Sequence, residues 1–481
     1  MDSRSVSSRM FNQLAFAFSC AFLAAALFGG LYTGELTQLL RQWFVIMISP
    51  SPLVTDYFNI GSLGSAFLNA AACGFACTFF MFFLKGESRA TTLAGYFLVV
   101  AHAFYGLNFF NMWPCFFASM GYLHFKKLDL KKNLHICMFS TCFAPLIGEL
   151  LFRYTQQDSF VFGEVHLTAA GLLLTLIASI FLGAVIPAIL PGAAAWHKGY
   201  DLYNGGLAFG MLGFFLFNFL FRTLGMNHYG HLTIINPVYN AYANSYRLFC
   251  NIFFVTIFLF LIFLGWSRNG HSFAGYGRLM KDTGHQADFA VSYGNDLVIM
   301  NIGFVGLLFL SYLNMTILFS EGAGFTGPSV GVTIAALTFT AMGQHPANVW
   351  PILMGYQLLY SLISIICPIA GLPIPWTLST QGYINGAAFA TGLCPIVGRY
   401  GFRAGILAGM MCASMCTSTS ALHGGYVLYN GGLTAGITAL ILLPILEHYI
   451  PKARKELTYP KLDVTEMIAL EEGSEDTISF K

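Results

Sequence analysis

Two inverted repeats of seven membrane-spanning helices are what this sequence predicts: an all-α polytopic membrane protein of about 14 spans, some of them interrupted. Three observations carry that prediction. The composition is 56% hydrophobic and only 9% charged, where soluble globular chains carry about 25% charged residues. A stretch rich in His, Tyr, Asn and Gly occurs twice, once in each half. The charges lie in short loops between apolar runs, and corresponding loops differ in charge character.

The repeated stretch organises the rest. His197 to Gly210 reads HKGYDLYNGGLAFG, and His423 to Gly436 reads HGGYVLYNGGLTAG. His, both Tyr, Asn and the Gly pair recur in register, and none of these is a filler residue. Shorter echoes keep the same order. NIGSLGSAFL from Asn59 returns as NIGFVGLLFL from Asn301, and GLNFFNMWP from Gly106 returns as GQHPANVWP from Gly343. Pro145 and Gly148 return as Pro395 and Gly398. A long-period repeat of this kind marks a tandem duplication.

Taken in order, residues 1–9 are polar, with Arg4 and Arg9, and lead into an apolar run near 13–30. That run exceeds the roughly 7–15 residues of a signal-peptide core and no small-residue cleavage site follows, so it reads as a first span. Residues 43–58, with Pro50 and Pro52, read as an external loop of partly re-entrant character. Spans near 59–84, 90–105, 109–125, 134–152, 166–190 and 207–224 complete a first repeat over 1–226. A polar linker over 227–246 follows. Spans near 247–266, 297–319, 328–342, 349–369, 376–396, 404–419 and 433–450 form the second repeat, 247–450. The tail, 451–481, begins basic at Lys452, Arg454 and Lys455 and lacks an apolar period, as a partly disordered extension does.

Loop charge sets the orientation. Lys126, Lys127, Lys131 and Lys132 form the strongest basic cluster, which places that loop in the cytoplasm. Counting outward puts Arg4, Lys85, Arg89, Arg268, Lys281, Arg399, Arg403 and the tail on the same side, and Glu321 and the linker outside. The loop after the first Asn-x-Trp-Pro span is Lys-rich, while its counterpart, 371–375, carries no charge. An odd number of spans per repeat gives that reversal. The expected location is the cell's inner membrane, multi-pass, with both termini cytoplasmic.

Transporters built from inverted repeats bind solute near the midplane, where interrupted helices free their backbone groups. Non-helical backbone at that depth is tolerated only beside a cavity or inside protein. The Asn-x-Trp-Pro segments, with Asn111 and Asn348, and the His-x-Gly-Tyr segments both look interrupted. The candidate solute-binding residues are therefore His197, Tyr200, Tyr203, Asn204, Asn111, His423, Tyr426, Tyr429, Asn430 and Asn348. Asn204 and Asn430 suit either a helix cap or an amide facing solute. Plainer roles stand beside these: Trp113 and Trp350 suit interfacial anchors, and the Gly pairs suit close helix packing.

Acids are scarce in the apolar runs. Asp56, Glu149, Asp201 and Asp296 are read as interfacial, and their scarcity speaks against a relay of carboxylates or a strongly charged solute. Cys73 with Cys77, and Cys412 with Cys416, are spaced for one helix face but read as packing residues. No metal or cofactor is expected. His102 and His345 read as hydrogen-bonded core residues. No nucleophile elbow, zinc-protease motif or phosphate loop is present, and no basic domain awaits nucleic acid.

The Gly-Tyr-x-Leu-Tyr-Asn-Gly-Gly-Leu repeat, the order of motifs and the length resemble an uncharacterised bacterial family of multi-spanning membrane proteins known only as a domain of unknown function. Over residues 199–207 and 425–433 the chain is also distantly similar to bacterial urea transporters, which are inverted duplications. In span count it is similar to nucleobase and anion carriers. The family resemblance brings no substrate; the interrupted motifs read as a non-enzymatic carrier for a small polar solute, embedded in lipid and able to self-associate, with the site between the repeats. Pro346, a break in one copy only, suits a moving gate better than a fixed pore. A channel of urea-transporter type, a lipid-modifying enzyme and a scaffold are the alternatives.

Overall fold

The longest apolar runs fold as long helices and stand on the outside of the bundle. A computed structural model describes residues 3–84, 88–232, 234, 236–320 and 323–450. Lys85, Glu321 and the tail with Lys452, Arg454 and Lys455 lie outside the described residues. In chain order the main helices are α1 (Ser3–Thr33), α2 (Leu63–Phe83), α3 (Ala90–His102), α4 (Trp113–Phe125), α5 (Leu130–Ser140) and α6 (Ala144–Phe152). They continue as α7 (Ala169–Trp196), α8 (Asn204–Phe217), α9 (Pro237–Arg268), α10 (Asn295–Leu318) and α11 (Gly327–Ala335). The last are α12 (Pro346–Ile369), α13 (Gln381–Ala390), α14 (Cys394–Tyr400), α15 (Phe402–Met415) and α16 (Asn430–Tyr449). No strand occurs among the described residues.

The outer helices show what surrounds them. On α7, Leu172, Leu173, Leu176, Ile177 and Ile180 are each more than half exposed, as are Leu248, Ile252, Leu259, Phe260 and Phe263 on α9. Apolar faces of that extent do not stand in water. Among the described residues, 9 helical segments are long and apolar enough to cross a membrane. The protein is a multi-pass membrane protein.

The inner helices differ, and here the expected 14 spans are not all found. The spans expected near 90–105, 109–125 and 328–342 are the short helices α3 and α4, 13 residues each, and α11, 9 residues. At 1.5 Å per residue, α3 is about 20 Å long and α11 about 14 Å, well short of the ~30 Å hydrocarbon core. Apart from Thr91, every residue of both α3 and α11 is buried. A helix walled in by protein has no lipid to match in length.

Packing repeats between the halves. α1 packs along α2 as α9 packs along α10, and α4 along α7 as α12 along α15. The halves meet most extensively where α3 packs on α11 and α8 on α16. One helix in each half is broken. A 3-10 turn, Thr141–Phe143, joins α5 to α6, and Thr391–Leu393 joins α13 to α14. Pro145 and Pro395 then open the following helices, where a missing N–H costs nothing.

Two expectations change. The loop at 43–58 is partly helical (Leu39–Ile48), and residues 48–53 are buried. Leu53 N donates to Gly425 O of the second half at 2.8 Å, so this stretch is a plug rather than an external loop. The linker is shorter than 227–246, because α9 already begins at Pro237.

Candidate functional site

The repeated motif forms two hairpin-like re-entries. After α7, Gly199 takes a positive φ of 76°, and after the short helix Thr419–Leu422, Gly425 takes 80°. Glycine allows that left-handed turn without a side-chain clash. The chain then runs extended into the bundle, and each extended segment docks on the broken helix of the other half. Leu202 N donates to Gly392 O at 3.0 Å, and Leu428 N donates to Cys142 O at 2.9 Å. The 3-10 breaks turn those carbonyls out of helical register, so the two interruptions satisfy each other. Buried backbone groups in a membrane must be satisfied inside the protein.

α8 and α16 begin where these segments end, and their first turns cross. A Cβ on Gly206 would lie 2.5 Å from Gly432 Cα and 2.8 Å from Leu433 N. Gly210 faces Leu433 while Gly436 faces Leu207. Both helix N-termini, with their unpaired N–H groups and positive dipole ends, therefore meet near the middle of the bundle. The Gly pairs pack, as the plainer reading held. Tyr203 and Tyr429 occupy the capping positions and Asn204 and Asn430 are the first helical residues, so neither Asn caps through its side chain.

A cavity of about 40 Å³ lies beside this crossing. Leu98, Leu190, Phe339 and Met342 supply apolar wall, and Thr91, His135, Tyr203, Asn204 and Tyr429 supply polar groups. No charged side chain lines it. Tyr203 donates from its hydroxyl to Ala335 O at 2.6 Å. Asn204 Oδ1 and the Tyr429 hydroxyl are buried with no protein partner. That pair, one from each half, is free to hold something else.

The ten predicted residues fall into three groups. Tyr203, Asn204 and Tyr429 line the cavity. His197, His423 and Asn430 stand behind it: Asp201 N donates to His197 Nδ1 at 3.3 Å, and His423 Nε2 lies 3.0 Å from Asn430 Oδ1. The other four lie elsewhere. Tyr200 stacks on His285 and Tyr426 on Phe221. Asn111 and Asn348 pin their own turns, accepting from Asn108 N and His345 N and donating to Gly106 O and Gly343 O. Their amides are used up.

Sequence reasoning missed Asn69, whose amide holds the end of α3 by donating to Ala103 O and Leu107 O. Asn301 does the same for Thr340 O and Gln344 O. The signal was present, one Asn inside each apolar run, but the Asn59/Asn301 echo masked it. Asn59 sits in a separate short helix, Tyr57–Ile60, and is no structural counterpart of Asn301.

Two acids read as interfacial are buried instead. Glu149 is 0% exposed and paired with Arg153 at 2.7 Å. Asp201 is also 0% exposed; its Oδ1 accepts from Tyr203 N at 3.0 Å while Oδ2 has no partner. Asp296 does lie near the surface, against Arg268. His102 bridges Leu98 O and Leu428 O, a core role as read.

Residues 36–222 and 268–448 match one protein family, described as "Protein of unknown function (DUF1576)". No curated protein and no solved structure matches the chain. The two matched blocks cover most of both halves and leave out the linker, and the chain belongs to the DUF1576 family.

Proposed function

We propose that this protein is a carrier for a small uncharged polar solute, built from two inverted repeats with the solute site beside the crossing of α8 and α16. The observation that carries the reading is reciprocity. Each half's extended segment docks on the other half's broken helix, and the cavity draws Asn204 from one half and Tyr429 from the other. Interrupted helices meeting at a repeat interface are the usual site in such carriers. The lining offers an amide oxygen and a phenol but no formal charge, which suits a neutral solute. A volume of about 40 Å³ exceeds the ~10–15 Å³ one water needs, so the space suits a small molecule.

Contacts at one end of the bundle support a topology for this reading. Lys198 pairs with Glu447, His285 Nε2 lies 2.8 Å from Lys198 O, and Gly398 packs against Thr283, so the ends of α7, α14 and α16 share one face. In this reading each half contributes five crossings and one hairpin, α3–α4 or α11–α12, and both termini are cytoplasmic. Cysteines placed at Lys281 and Arg399 should then be labelled from the same side of sealed vesicles. Labelling from opposite sides removes the inversion.

Counterflow tests the carrier. Proteoliposomes preloaded with urea, acetamide or glycerol should exchange the labelled compound with saturation for at least one of the three. Flux linear in concentration without counterflow makes the protein a channel. A hydrogen bond to neutral solute is worth about 1–1.5 kcal/mol, roughly tenfold. Asn204→Leu should therefore slow counterflow about tenfold at unchanged thermal stability. Asn430→Leu should lower stability instead, because His423 loses its partner.

A further inference from the structure

One buried group is left over by this account. Asp201 sits on the extended segment of the first half, fully buried, with Oδ2 unpartnered. The groups facing it are His197 through the Asp201 backbone N–H, Tyr203, and the thiols Cys394 and Cys412. No lysine or arginine acts on it. A carboxylate enclosed there, with no basic side chain beside it, is disfavoured against the neutral acid. The motif itself shows that the packing does not need an acid. The same place in the second copy holds Val427, also fully buried, and its segment docks with the same hydrogen bond from the next residue.

The carboxyl also stands at a joint. A Cβ on Gly392 would lie 2.8 Å from Asp201 Oδ1, beside the Leu202–Gly392 hydrogen bond that ties the halves. Its Oδ1 holds the N–H of Tyr203, and Tyr203 and Asn204 line the cavity. In the carrier reading, rocking one half against the other would open this joint to water, and closing it would bury the carboxyl again.

We propose that Asp201 is a proton-loading site, so that the carrier inferred above is proton-coupled. The carboxylate takes one proton from water on the side where the joint is open, is buried as the neutral acid, and releases that proton to water on the other side, one for each solute moved. A single carboxyl does this without the relay of acids that the sequence lacks. The assignment of the proton site stands on the joint alone, while coupling rests on the carrier reading.

Two measurements on the full-length protein separate these. Infrared titration of the purified, reconstituted protein should show the carbonyl stretch of a protonated carboxylic acid at neutral pH. That band should be lost reversibly on alkalinisation and be absent in Asp201→Asn and Asp201→Val, with valine chosen because the second copy accommodates it. A band unaffected by these substitutions, or one that never titrates, overturns the proton site. In proteoliposomes, a gradient of one pH unit should accumulate whichever probe shows counterflow about tenfold, since one proton across one unit carries that factor. Asp201→Asn should retain counterflow but lose accumulation. Counterflow without gradient-driven accumulation in the natural protein overturns coupling. Absence of counterflow for urea, acetamide and glycerol overturns coupling with the carrier reading, while the infrared result still decides the proton site.

Discussion

Gly206→Val should yield almost no folded protein, and Gly206→Ala should lose about 3 kcal/mol of stability, the upper end of what overpacking costs. The reason is what a new Cβ meets. Its neighbours are the Gly432 carbonyl carbon, Gly432 Cα and Leu433 N, all backbone, at the first turn of α16. A flexible side chain moves aside cheaply, whereas a helix backbone held by its own hydrogen bonds does not. Gly432→Ala should be milder, about 1 kcal/mol, because its Cβ would meet Gly206 Cα at 3.0 Å and Tyr203 Cβ at 3.1 Å. The order, Gly206 worse than Gly432, is the sharp part of the expectation. Thermal unfolding of the purified variants in detergent measures it; equal losses, or a stable Gly206→Val, would mean that α8 and α16 do not cross there.

Much of this arrangement was legible, and the limits have physical causes. Residues 197–210 and 423–436 align because each must turn back at a glycine, run extended and start a helix whose first turn tolerates no Cβ. Those demands are local, so they survive in the residue string. What cannot be read is the partner. That Leu202 docks on Gly392 and Leu428 on Cys142 is a contact between backbone groups, which no side chain records. Hydropathy counts a span by apolar length, and α3 and α11 are apolar only because they are buried in protein. Their short length reflects neighbours far away in sequence. Register failed for a third reason: the NIG echo set Asn301 against Asn59 within an apolar string, while its structural counterpart, Asn69, lies ten residues further on. Aligning on buried amides rather than on the apolar string finds the true pair.

Function divided along the same line. Polar residues kept in both copies proved to be mostly internal fastenings: Asn111 and Asn348 hold matching turns, and His423 holds Asn430. The groups left unpartnered are those where the copies differ in use. Asn204 Oδ1 has no partner, while Asn430 Oδ1 meets His423. Asp201 has no counterpart acid. Symmetry in this protein marks the scaffold, and departures from symmetry mark where chemistry is available.

Asn69→Leu should destabilise the protein about as severely as any substitution outside the crossing. The Asn69 amide donates to Ala103 O at 2.7 Å and Leu107 O at 3.0 Å, and accepts from Phe109 N at 3.1 Å and Trp43 Nε1 at 3.2 Å. Three of those partners are backbone groups just past the end of α3, in a chain stretch that cannot reach water. Each group left unpaired costs about 1–3 kcal/mol, so the loss is about 4 kcal/mol after some repacking. Asn301→Leu should cost less, about 3 kcal/mol by the same reasoning, because only Thr340 O, Gln344 O and the Tyr276 hydroxyl depend on it. The difference has a visible source: where the first half has Phe109, whose N–H donates to Asn69, the second has Pro346, which has no N–H. Asn69→Asp discriminates further. A carboxylate could still accept from Phe109 and Trp43, but it would face the Ala103 and Leu107 carbonyls with no proton to offer. It should be at least as destabilising as leucine at neutral pH and recover part of the loss on acidification, when the protonated acid can donate to one carbonyl. Thermal unfolding of Asn69→Asp across pH is the measurement; stability that stays flat, or falls toward acid, would show that the two carbonyls are satisfied by something other than Asn69.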